Sequence, residues 1–239
     1  MDNFCPNTAN HGREHISVIK FRDSLRAQLA KDRGPEADCI PLYLSGATGS
    51  LLKIRLSAYG YTLVAKGVEE DYVERLKHEN KIYDALRPIQ SICVPVCLGL
   101  IDLALPYYYN GRVLKHLLLL SWAGWPLSRC NIDQTNKKLA IPAIQNAFTK
   151  IHQLSVLHND AEPRNILYDT VKRTFMVADF GEAKFYPCQH LSPISPNRLG
   201  RKRKLGQKET DIFTCEFNCV VDRLSKVFFP WQGTTSRRP

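Results

Sequence analysis

The stretch LHNDAEPRNILYD, Leu157 to Asp169, decides how this chain is read. It sets a His, an Asp two positions on and an Asn five positions after that into one short segment, with a Glu and an Arg beside them. Upstream, IDQTNKKLAIPAIQNAFTKIHQLSV puts Ile141, Ile144, Phe148, Ile151 and Leu154 on one side of a long helix, with Pro142 expected to bend it near its start. Downstream, NILYDTVKRTFMVADF reads as a strand pair. The polar cluster therefore falls in a loop between a helix and a hairpin, where reactive side chains are commonly carried.

The 239 residues suffice for one large domain or two small lobes with a real core, and 44% hydrophobic with 23% charged residues is an ordinary globular composition. Eight Cys are scattered without a CxxC pair, and the start lacks a signal-peptide pattern, so an intracellular, cytoplasmic or nuclear, reducing setting is expected. Cys93 and Cys97 lie in an apolar run and read as buried free thiols. The richest apolar stretch, Val113 to Leu127, contains Lys115 and His116 and is too short and polar to span a bilayer. The net charge is +10, and from Glu182 to Lys208 seven basic residues face a single acid. That segment, around RLGRKRKLGQK, reads first as a solvated loop and second as a nuclear-localisation or acidic-partner patch; without interleaved aromatics, nucleic acid is not expected as the main ligand.

Residues 1 to 12 read as loose, and REHISVIKFRDSLRAQLAK as a surface helix with Ile16, Ile19, Leu25 and Leu29 at helical spacing. From Cys39, three runs rich in β-formers, divided by Gly46, Gly49 and Gly60, predict an antiparallel meander. EEDYVERLKHENKIYDALRPI predicts a helix ending before Pro88, and a strand pair with its turn around Ile101 to Arg112 follows, then the Leu117 to Leu120 run. A last apolar-faced helix is expected from about Glu209 to Phe228, then a disordered tail. The expected organisation is an N-terminal extension over 1–38, a small lobe over 39–121, a truncated helical lobe over 122–230 and a disordered tail over 231–239.

Lys66 on the third strand, Glu79 on the next helix, Asp160 and Asn165 in the loop and Asp179 in VADFGEAK fall in a meaningful order, with Lys66 thirteen residues before Glu79. Singly, each has a bland reading as a solvated side chain or a turn residue. Together, LVAKGV, HNDAEPRN and DFG resemble the protein kinase family's Val-Ala-x-Lys strand, His-x-Asp-x-x-x-x-Asn loop and Asp-Phe-Gly turn, over roughly Cys39 to Lys184. The wording around LRPIQSICVPVCLGL also resembles the short divergent kinase-like proteins of filamentous fungi.

The resemblance implies a two-lobed α+β kinase-like fold and a monomer that binds ATP and Mg²⁺ between its lobes. It implies that Lys66, steadied by Glu79, meets the α and β phosphates, that Asp179 and Asn165 hold the metal, and that Asp160 orients the acceptor hydroxyl. SGATGS, with Gly46 and Gly49, would lay amides over the phosphates, and main chain from Ser121 to Ala123 would meet adenine. Where the family carries a Lys two residues after the catalytic Asp, this chain has Glu162, and Arg164 is the candidate to supply the missing positive charge. No Ala-Pro-Glu follows the DFG. The expected activity is phosphotransfer of the Ser/Thr protein kinase type; the alternatives are a pseudokinase acting as a nucleotide-binding scaffold, or a small-molecule kinase of the choline or aminoglycoside type, the acceptor being unknown.

Overall fold

Four consecutive leucines, Leu117 to Leu120, can all be buried in one strand only if both faces of its sheet are covered. In the computed structural model, which describes residues 16–34, 37–45, 49–130, 132–186 and 212–228, both faces are covered. Leu117 and Leu119 pack with Phe21, Leu25 and Leu29 of helix α1 (Val18–Lys31), and Leu118 and Leu120 with Leu76, Ile82 and Tyr83 of helix α2 (Val73–Ala85). Each such leucine contributes roughly 1.5–3 kcal/mol of burial free energy.

The sheet is antiparallel, in the order β1 (Cys39–Ser45), β2 (Ser50–Leu56), β3 (Tyr61–Val68), β5 (Arg112–Ser121), β4 (Cys97–Tyr109). The meander and the strand pair are present, and the Leu run belongs to β5 itself. Lys66 on β3 stands directly opposite Leu118, which puts its side chain on the α2 side of the sheet. The face of α1 differs from the expectation: Phe21, Leu25 and Leu29 are buried, whereas Ile19 is 67% exposed. The four-residue step from Phe21 to Leu25 to Leu29 keeps one face, and Ile19 falls off it.

Beyond β5 the chain makes a sharp passage at Gly124, where φ is +104° and a Cβ would lie 2.1 Å from the Tyr168 carbonyl oxygen. Only glycine fits that approach, and it lets β6 (Trp125–Pro126) pair with β8 (Ile166–Asp169), itself paired with β9 (Thr174–Val177). Helix α3 (Gln134–Gln153), capped by Asp133 on the Asn136 amide, runs through Pro142 and packs on β9 and on α4 (Ile212–Phe228). Its buried face is Ala140, Ile144, Ala147, Phe148 and Ile151, with Ile141 and Leu154 half-buried beside them. A short pair, β7 (Val156–Leu157) with β10 (Lys184–Phe185), brackets the loop and the DFG turn.

The result is a two-lobed kinase-like α+β fold, a five-stranded sheet with helices on one side of a cleft and α3, α4 and short hairpins on the other. One hydrophobic cluster runs from α2 through Phe180 to α3 and α4, tying the lobes behind the cleft. Residues 1–12, Gly46, the basic run at 198–208 and the tail over 231–239 lie outside the described residues. Among the described residues, Cys93 is buried and Cys97 half-buried, both as free thiols, and no helix is long and apolar enough to cross a membrane.

Candidate active site

Lys66 is carried into the interlobe cleft by β3, and its ammonium lies 2.7 Å from Glu79 Oε2 and 2.5 Å from Asp179 Oδ1. Glu79 is itself buried on α2, and its other oxygen accepts a 3.2 Å bond from the Phe180 amide. One carboxylate thus grips both the lysine of the small lobe and the backbone of the DFG turn. Burial works against the Lys66 ammonium, but Glu79 and Asp179 outweigh it and raise its pKa, so it is held charged. Burial likewise favours the neutral form of Asp179, and Lys66 overcomes it, holding the carboxyl below its ordinary value.

Across the cleft, the HNDAEPRN loop is organised around Asp160. Asn165 donates its Nδ2 to the Asp160 carbonyl at 2.8 Å and to Asp160 Oδ2 at 2.9 Å. With its Nδ2 committed to those two acceptors, its amide oxygen is left available to a hard cation. Arg164 Nη2 reaches both Asp160 oxygens, at 2.7 and 2.9 Å. His158 is fully buried, donates from Nε2 to the Ala178 carbonyl at 3.0 Å and accepts the Asp160 amide on Nδ1 at 3.3 Å. Burial lowers its pKa, and the two bonds fix a neutral imidazole in one tautomer.

Glu162, the charge reversal in the loop, does not line the cleft. Its carboxylate lies 3.2 Å from Arg223 Nη2 on α4, and the same arginine donates to the Ala161 carbonyl at 3.0 Å. The neighbouring Glu216, also on α4, accepts from the His158 amide at 3.1 Å, the Asn159 amide at 2.6 Å and His152 Nε2 at 2.8 Å. Burial would raise the Glu216 carboxyl, but the bonds from His152 and the two amides hold it below its ordinary value. Asn159 and Asp179 both adopt positive φ, at 62° and 63°, a left-handed conformation that Asn and Asp tolerate better than most residues. Neither Glu216 nor Arg223 was singled out from the sequence, because a contact from a distant helix to a loop backbone leaves no spacing pattern.

Lys66, Glu79, Gly49, Ser121, Ala123, Asp160, Arg164, Asn165 and Asp179 all line one cleft of about 510 Å³. Gly49 comes close to β3, since a Cβ there would lie 2.9 Å from the Gly67 carbonyl oxygen. Ser121 is already engaged: its amide donates to the Val96 carbonyl and its hydroxyl accepts the Val96 amide, both within 3.0 Å. Asp179, 49% exposed, and Asn165 offer carboxylate and amide oxygens, a donor set that suits Mg²⁺.

No family model matches the chain. It is 33% identical over 220 residues to the meiotic driver SPOK2 of Podospora anserina, an alignment covering 88% of this chain and 27% of that protein. It is 22% identical over 144 residues to the human cGMP-dependent protein kinase 2, covering 58% of this chain and 18% of that protein, and matches the rat protein to the same extent. The chain therefore spans less than a third of the length of these relatives. A solved kinase-domain crystal structure aligns with a TM-score of 0.49 at 18% identity, over 61% of this chain and 50% of that one. With its ordered Lys, Glu, Asp, Asn and Asp set, its two-lobed architecture and this likeness in sequence, the chain is kinase-like in both fold and sequence.

Proposed function

We propose that the chain is an ATP- and Mg²⁺-dependent phosphotransferase of the protein kinase type, acting on Ser/Thr hydroxyls. The observation that carries this reading is the Lys66 bridge, which joins Glu79 of α2 to Asp179 of the DFG turn across the cleft. It leaves a fixed cation facing the space where a polyphosphate fits, and a lone lysine would lose that position to its own rotamer entropy. The turn of Glu162 toward Arg223 adds support, since it takes the reversed charge away from an incoming phosphate.

In this reading Lys66 binds the α and β phosphates, and the main chain at Trp122 and Ala123 meets adenine. Asp179 and the Asn165 amide oxygen hold Mg²⁺, which when bound neutralises charge on the phosphates. Asp160 accepts the acceptor's hydroxyl proton while that oxygen bonds to the γ phosphorus and the bond to the ADP oxygen breaks. Arg164, seated on Asp160, orients it and sits beside the transferring group. A second reading, a nucleotide-binding scaffold without transfer, has one observation in its favour: Arg164 and Asn165 between them already occupy both Asp160 oxygens.

The test is Mg·ATP added to the purified chain, read by thermal shift and by transfer of labelled phosphate to serine peptides. Phosphotransfer predicts a rise in melting temperature and a loss of transfer of about 10²–10⁴-fold in Asp160→Asn, with the shift retained. A shift without transfer selects the scaffold, and no shift overturns both.

A further inference from the structure

Helix α4 meets the HNDAEPRN loop at two places and with opposite charge. Glu216 takes the amides of His158 and Asn159, just before Asp160. Arg223, about two turns further along the helix, takes the Ala161 carbonyl and the Glu162 carboxylate, just after it. Arg223 is firmly placed: Val220 and Leu224, which flank it, are buried in the same cluster as Ala161, and α4 packs on the turn Pro163–Asn165. Its neighbouring acid, Asp222, pairs with Lys226 at 2.6 Å, so among the described residues Glu162 is the carboxylate that Arg223 holds.

The backbone of Glu162 is fixed independently of its side chain. Its amide donates to the Asp160 carbonyl at 2.8 Å and its carbonyl accepts the Asn165 amide at 2.9 Å, so the residue is tied into the loop on both sides. Only the side-chain torsions are left, and Arg223 sets them. With Glu162 29% and Arg223 40% exposed, the ion pair itself contributes little to folding, and its consequence lies in where it keeps a negative charge. A carboxylate released from Arg223 would remain two residues from Asp160 and two from Arg164, both of which line the cleft. It would draw the Arg164 guanidinium away from Asp160, now held at 2.7 and 2.9 Å, and would repel a third phosphate arriving beside them.

We infer that Arg223 is a positioning residue for phosphate transfer: by neutralising Glu162 outside the cleft, it makes a loop with a reversed charge compatible with a γ phosphate. The inference rests on the phosphotransferase reading and deepens it, since the compensating cation is supplied by α4 and not by the loop.

The experiment is a double-mutant cycle on the purified chain between Arg223→Gln, which keeps a donor for the Ala161 carbonyl but loses the charge, and Glu162→Gln. The parent, both single variants and the double variant are compared in transfer of labelled phosphate to serine peptides at saturating Mg·ATP, and in the ratio of their dissociation constants for Mg·ATP and Mg·ADP. Arg223→Gln lowers kcat about tenfold and shifts the ratio about threefold against ATP, whereas Glu162→Gln alone leaves both near the parent values. The double variant returns to those values, and Arg223→Lys, which keeps the charge, retains most of the transfer. A loss in the double variant equal to that in Arg223→Gln assigns Arg223 to the fold of the loop alone and overturns the proposal, as does parent-like behaviour of Arg223→Gln. If the parent chain binds both nucleotides without transferring phosphate, the phosphotransferase reading fails, while the ratio still decides whether Arg223 keeps Glu162 off the γ phosphate. A parent chain that binds neither nucleotide overturns both.

Discussion

Glu79 and Glu216 are two carboxylates doing related work on opposite sides of one cleft. Each projects from a helix, and each takes a hydrogen bond from the backbone of a loop at the site, Phe180 for Glu79 and His158 with Asn159 for Glu216. They differ in their second partner. Glu79 holds the Lys66 ammonium, so its charge is shared with a group that faces the cleft. Glu216 holds two amides and His152, so its effect ends in the shape of the loop. The first carboxylate tunes charge at the site and the second fixes where Asp160 sits.

That contrast is broken most directly by removing each carboxylate in turn. Glu216→Ala leaves the His158 and Asn159 amides without their acceptor and is expected to cost about 2–3 kcal/mol of stability, read as a lower denaturant midpoint at unchanged slope. A loss below about 0.5 kcal/mol would show that water replaces the carboxylate and that the loop needs no pin from α4. Glu79→Gln keeps most of the volume and an acceptor for Phe180 but removes the charge beside Lys66. It is expected to lower phosphate transfer about 10- to 100-fold, the scale for losing an orienting partner, with a smaller effect on stability than Glu216→Ala. If the stability losses come out in the reverse order, the division of labour between the two is wrong.

The smallest effect is on pH dependence. Burial lowers the His158 pKa from its usual 6.5, so the folded state resists the proton that the unfolded chain takes up. The stabilisation is complete above about pH 6.5 and drains away as pH falls toward the lowered folded value. Denaturant midpoints measured from about pH 7.5 down to about pH 5 should fall, and His158→Gln should flatten that decline. A decline of the same size in His158→Gln would assign it to other groups; Glu216 does not act in this window, because its carboxyl is held below its ordinary value and its contribution is lost only at lower pH.

The legible part of the site was the part defined by order along the chain. Lys66, Glu79, Asp160, Asn165 and Asp179 could be read together because a strand, a helix and a loop in fixed succession present them, and the cleft brings all five to its lining. The surface helix α1 was visible by period, and Leu25 and Leu29 are buried with Ile16 half-buried beside them, but Ile19 was read into that face, where the sheet takes Phe21 instead. Periodicity marks that a face exists; the partner surface decides which residues occupy it.

Sequence by itself determined the element order, the two-lobed fold class and the identity of the polar set, because each is written in local spacing and in residue chemistry. Tertiary structure decided the meaning of Glu162 and Arg164, which the sequence left as a reversed charge and a candidate replacement. Packing of α4 against the loop gives Glu162 a partner in Arg223 outside the cleft, and the loop's own turn sets Arg164 on Asp160. The physical reason is distance along the chain: Glu216 and Arg223 lie more than fifty residues beyond the backbone groups they hold, and a hydrogen bond to a distant amide demands a position in space, which no residue spacing encodes.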